Sequence, residues 1–146
     1  MKKTIGLVCG FLACAVTAPA DAATRYRLEF TIARDGVVVS KPSLVVEEGK
    51  RAELTLENAG DPDRGIRMLA TAVPATAGTP EREAASLDLM FFESHGGEWI
   101  LRSEPSTTVY LDEPASLEIA TRNAKRAAPT FVITYRIGKA NDDAPR

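Results

Sequence analysis

An all-β sandwich is the fold this sequence predicts, built from two tandem, similar units of four to five strands with pseudo-twofold symmetry and little helix. Three observations carry that expectation. Apolar and polar residues alternate with period two in several segments, the mark of a strand with one wet face. Turn-forming residues punctuate the chain at the spacing of short antiparallel strands. The chain also nearly repeats itself: residues 42–56 lie over residues 105–119 without a gap, and five of the fifteen pairs are identical. Composition alone would give roughly one such identity.

The elements follow in order. Tyr26, Leu28, Phe30 and Ile32 alternate with Arg27, Glu29 and Thr31, giving a first strand. Arg34-Asp35-Gly36 is a hairpin turn, because Asp and Gly both tolerate positive φ, so Val37-Val38-Val39 is expected to run back along that strand. Pro42 has no N–H to give to a ladder and interrupts the pairing. Ser43 to Val46, a turn at Glu48-Gly49-Lys50, Ala52 to Glu57, a polar loop from Asn58 to Gly65 and Ile66 to Val73 complete the first unit, residues 25–74. Residues 75–84 read as a linker in which Thr79 caps one helical turn begun by Pro80.

The second unit, residues 85–138, repeats the order. Ser86 to Phe92 and Glu98 to Leu101 flank a hairpin loop at Glu93 to Gly97; Thr107 to Leu111, Ala115 to Ala120 and Pro129 to Ile137 follow. Thr121 to Ala128 reads as a solvated loop with a basic cluster, and 139–146 as a loose tail. Each unit presents one half of a core, so residues 23–138 are expected to form a single sandwich of two sheets packed face to face.

The chain opens as an export signal. Lys2 and Lys3 precede an apolar run from Ile5 to Val16, and Ala20-Asp21-Ala22 is a small-x-small cleavage site, so residues 1–22 are expected to be removed. The run is too short, and too interrupted by Gly6 and Gly10, for a membrane span of about 20 residues. Lipoprotein processing at Cys14 is an alternative, although Phe11 departs from the usual Leu of that motif. Both cysteines of the chain lie in the signal, which leaves the exported part no disulfide, thiol or cysteine metal chemistry. The formal charge of −2 offers no basic field for nucleic acid or anionic lipid.

No constellation of catalytic residues stands out. His95 is the single histidine, so a histidine metal cluster is impossible. A triad could be composed on paper from Ser94 or Ser106 with His95 and Glu93, but adjacent residues in a strand or turn point in different directions, and no nucleophile-elbow pattern occurs. Asp61 and Asp63 offer oxygen ligands for a hard cation, but without the spacing of a calcium loop; plain turn chemistry explains them as well, and no cofactor is expected. The units differ most at the second hairpin, which is four residues longer than the first. There Phe91 and Phe92 put one aromatic on each sheet face, and Trp99 sits on the return strand, as core cover or as an exposed anchor. Phe92, Glu93, His95, Trp99 and Ile100 are therefore the candidate binding residues.

The run Arg-Asp-Gly-Val-Val-Val-Ser-Lys-Pro, an apolar strand, Glu-Gly-Lys and a further strand, followed by a similar unit containing Gly-Gly-Glu-Trp, resembles small exported β-domains of Gram-negative envelope proteins. The resemblance covers most of residues 25–138, implies an envelope address and carries no activity with it. The expectation is an exported, soluble, non-enzymatic interaction protein of the periplasm, or one secreted to the medium, whose partner is a protein or envelope component. Alternatives are an inhibitor or immunity protein that plugs a cell-wall hydrolase with Glu93 or His95, and an enzyme of unrecognised type.

Overall fold

The computed structural model describes residues 23–57, 60–79, 81–120 and 131–140. The expected signal, the loop at 121–128 and most of the tail lie outside them. Among the described residues there are ten strands: β1 (Arg25–Arg34), β2 (Val37–Ser40), β3 (Ser43–Glu47), β4 (Arg51–Leu56), β5 (Ile66–Thr79), β6 (Arg82–His95), β7 (Glu98–Ser103), β8 (Ser106–Tyr110), β9 (Pro114–Ile119) and β10 (Phe131–Lys139). A short 3-10 turn, Pro62–Arg64, precedes β5.

They form two antiparallel sheets, so the all-β sandwich stands. In sheet A, β2 and β3 lie end to end along one side of β1, with β10 and then β9 on the other. In sheet B, β7 and β8 lie end to end along β6, followed by β5 and β4. Each sheet therefore takes three strands from one repeat and two from the other. The repeats are interlaced, because the chain crosses from sheet A to sheet B between β3 and β4 and returns between β8 and β9.

The crossing turns are pseudo-equivalent down to their hydrogen bonds. Gly49 (φ 71°) donates its N–H to Ala72 O at 2.9 Å, and Asp112 (φ 63°) donates to Ile137 O at 2.7 Å. A left-handed conformation is free to glycine and costs an ordinary residue roughly 1 kcal/mol, with Asp among the least penalised. The prolines behave alike as well. Pro42 and Pro105 cannot donate, but their carbonyls accept from Phe30 N–H (2.9 Å) and Leu89 N–H (3.0 Å), so the ladders on β1 and β6 continue across each strand break.

The inward phase of the alternation makes the core. Tyr26, Leu28, Phe30 and Ile32 of β1 and Phe131, Ile133, Tyr135 and Ile137 of β10 meet Ile66, Met68, Ala70 and Ala72 of β5 and Ala85, Leu87, Leu89 and Phe91 of β6. Burying a side chain such as Leu28 or Ile133 contributes about 1.5–3 kcal/mol relative to exposure. Phe91 and Phe131 meet edge-on with ring centroids 4.8 Å apart, across the two sheets. The buried Tyr135 hydroxyl is satisfied by Thr107 Oγ1 at 2.5 Å.

Two local expectations change. The segment expected as a linker is strand: β5 runs on to Thr79 and β6 starts at Arg82. No helical turn forms at 81–85, because Ala84 and Ala85 are buried and pair with Tyr110 and Val109 of β8. Pro74 is tolerated within β5 because the pairing with β4 ends at Thr71, so its missing N–H faces no partner strand. The second hairpin closes through the two-residue turn Gly96-Gly97 (φ 59° and 81°), the same form as Asp35-Gly36 (φ 49° and 81°). Its four extra residues lengthen β6 and β7 instead of widening the loop.

Candidate functional site

The residues that divide the pseudo-equivalent halves lie on the outer face of sheet B. Register settles which side chains share it: Leu69 of β5 opposes Met90 of β6, Arg67 opposes Phe92, Phe92 opposes Leu101 of β7, and Ser94 opposes Trp99. These positions alternate with the core residues Met68, Leu89 and Phe91 and so point away from the core. Leu69, Met90, Phe92 and Trp99 are half-buried, and Leu101 is 41% exposed. The corresponding positions of sheet A are Thr134 for Leu69, Thr31 for Met90 and Ala33 for Phe92, beside Arg27, Glu29 and Arg136. Sheet A is not free of apolar groups there, since Val38 and Val132 flank Ala33, but its outward side chains at these positions are small where sheet B carries Leu, Met and Phe.

The strip is held in place from its margins. The Trp99 ring lies on the chain just before β5, where a methyl group at Gly65 would come within 2.9 Å of its Cη2. Ser94 N–H donates to Gly65 O at 2.9 Å, and Gly96 N–H donates to Asp63 Oδ1 at 2.5 Å, so the 3-10 turn is clasped to the hairpin tip. Arg67 places its guanidinium 5.9 Å from the Phe92 ring centre and its Nε 2.7 Å from Glu53 Oε1. The Arg67 guanidinium beside it is the main reason the exposed Glu53 carboxyl is held below the ordinary carboxylate range.

Of the five candidate binding residues, the structure brings Phe92 and Trp99 together on this face. Ile100, 36% exposed, faces the other way, opposite Glu93. His95 is exposed at the hairpin tip, opposite Glu98. Glu93 is not a free contact group: its carboxylate bridges to Arg34 from sheet A and to Arg102 Nε at 3.1 Å, and Arg34 also stacks over Phe131 at 4.7 Å. Arg34 and Glu93 occupy corresponding places at the ends of β1 and β6, so this ion pair ties the two sheets together where the pseudo-equivalent halves meet.

Asp61 and Asp63 serve the loop. Asp61 Oδ1 accepts from Asp63 N–H at 3.0 Å, its Oδ2 meets Arg64 Nε at 3.0 Å, and Asp63 accepts from Gly96. Among the described residues, no group of three or more His, Cys, Asp or Glu side chains is placed to hold a metal ion, and no helix is long and apolar enough to cross a membrane.

Leu69, Met90 and Leu101 did not emerge as site residues from the sequence. Their signal was a strand apolar in both phases, as in Met68-Leu69-Ala70 and Leu89-Met90-Phe91-Phe92, which reads equally well as a fully buried strand. No protein-family model matches the chain, and neither a curated protein nor a solved structure matches it significantly.

Proposed function

We propose that this chain is an exported, non-enzymatic interaction protein of the bacterial cell envelope, working in the periplasm and contacting its partner through the outer face of sheet B. One observation carries the reading: a strip of large apolar side chains, Leu69, Met90, Phe92, Trp99 and Leu101, stands where the twin sheet has only the smaller Thr134, Thr31, Ala33 and Val38. Apolar side chains on an outer sheet face gain nothing for the core, and a contiguous patch of them marks a surface that is covered in use. Trp and Phe supply much contact area for few rotatable bonds, which suits a binding anchor. The address rests on the export signal.

The test is affinity capture from an envelope extract with residues 23–146, beside Phe92→Glu/Leu101→Glu and an opposite-face control, Arg27→Glu. Circular dichroism and thermal melting first establish that all three are folded. A partner recovered by the parent and the control, and lost at least tenfold in the double variant, supports the reading. Equal recovery by all three, or none by any, removes it.

A further inference from the structure

At the end of the sandwich where the β1–β2 hairpin lies, sheet A and sheet B are tied by the Arg34–Glu93 ion pair. Two adjoining hollows of about 530 and 570 Å³ open there, between the β1–β2 hairpin and the segment leading from β4 into β5. We infer that this groove binds an extended, cationic peptide segment of a partner protein, laid along β2 as an added strand.

Three features point to that occupant. First, among the described residues β2 has β1 on one side and no strand on the other, and Val37, Val38 and Val39 are 66%, 51% and 49% exposed. An unpaired edge of β-branched residues is a template for a further strand. Val39 is an extra residue relative to β1, where the pairing passes from Ala33↔Val38 to Ile32↔Ser40; Val37 and Val39 both line the hollows. The bulge thus supplies side-chain contacts along the groove wall.

Second, the groove lining differs from its pseudo-equivalent counterparts at two described positions. Val39 corresponds to Arg102, whose guanidinium reaches Glu93, and Ile66 corresponds to Phe131, which carries Arg34 on its ring. Val39 and Ile66 thus present smaller side chains to the groove than their counterparts Arg102 and Phe131 would.

Third, the charge is one-sided. Arg34 and Arg64 are neutralised by Glu93 and Asp61. Among the described residues lining the groove, that leaves Asp35, Glu57 and Asp63 without a cationic partner. A strand added along β2 that alternates basic and apolar residues places its basic face in the hollows with these carboxylates and its apolar face on the other side, beside Val38.

The experiment uses a labelled peptide, acetyl-Lys-Val-Lys-Val-Lys-Val-Lys-amide, titrated by fluorescence anisotropy against residues 23–146. Expected are saturable binding, no binding of the peptide with Glu in place of Lys, and at least tenfold weaker binding to Val39→Arg and to Glu57→Lys. The Arg at position 39 copies what its twin position already holds, so folding is retained, and a melting curve checks it. Absence of binding, equal binding of the acidic peptide, or indifference to both variants overturns the inference. Tenfold tighter binding to a chain with Arg122, Lys125 and Arg126 changed to Ala would assign the groove to the protein's own basic segment and overturn it too. So would concentration-dependent dimerisation, seen by sedimentation and abolished by Val39→Arg.

Discussion

Gly65→Ala is expected to destabilise the protein through Trp99 and through little else. The backbone at Gly65 has φ −67° and ψ 145°, which any residue adopts, so alanine carries no conformational penalty there. What it lacks is room: the new methyl group would lie 2.9 Å from Trp99 Cη2, 3.2 Å from Ser94 Cβ and 3.4 Å from Trp99 Cζ3. Ser94 is paired into the sheet and anchored to Gly65 O, so the indole is the group that yields. Overpacking of this kind costs about 1–3 kcal/mol. With Trp99→Ala already present, the larger clash is gone, and the lower chain entropy of alanine in the unfolded state offsets part of what remains by about 0.4–1 kcal/mol. The double-mutant cycle should then show a coupling of at least about 1 kcal/mol between positions 65 and 99. Urea unfolding of the four proteins measures it by circular dichroism, and the emission of the single tryptophan reports the displaced ring directly in Gly65→Ala. Equal costs in both backgrounds, or an unchanged emission spectrum, would refute the packing argument.

Two further outcomes follow from the sandwich end and from the start of β1. Glu93→Gln leaves Arg34, whose side chain is 15% exposed, without its countercharge, and should lower stability by about 1–3 kcal/mol by denaturant titration; Arg102→Ala, on the more exposed arm of the same network, should cost under about 1 kcal/mol. Burial, and secondarily the charges of Glu48 and Glu83, push the Tyr26 hydroxyl above its ordinary pKa, so the folded protein holds that proton longer than the unfolded chain does. Its contribution is complete below the unfolded value of about 10 and is lost as pH rises from there through the folded value. Stability measured between about pH 9 and 11.5 should fall less steeply in Tyr26→Phe; an identical slope would remove the assignment.

Local patterning carried most of the strand reading, because alternation and turn chemistry act over a few residues. Tyr26 to Ile32 and Phe131 to Ile137 point inward as their phase requires, and Asp35-Gly36 turns as its composition requires. Partner choice was hidden. Nothing in β1 says that Leu28 sits between Leu44 of its own repeat and Ile137 of the other, since the second pairing is decided by the closure of the whole sandwich. At the site, one of Phe91 and Phe92 was expected to face outward; it is Phe92, and its neighbour is Leu101 and not Ile100, because the two-residue turn Gly96-Gly97 sets His95 opposite Glu98 and so Glu93 opposite Ile100. Glu93 read as a free carboxylate for a similar reason: Arg34 is distant in sequence and near only after the sheets meet.

Interlacing also sets the order in which this protein can become itself. The first strand is completed by the last, with Tyr26 opposite Lys139 and Ala140 N–H on Arg25 O at 2.8 Å, so sheet A cannot finish until nearly the whole chain is free. Such long-range closure makes for slow folding and keeps a partly synthesised chain from locking prematurely. The same contact brings the two ends of the domain side by side. A circular permutant opened between Thr79 and Arg82, with the old ends joined, would begin and finish in the middle of sheet B and leave every strand of sheet A in place.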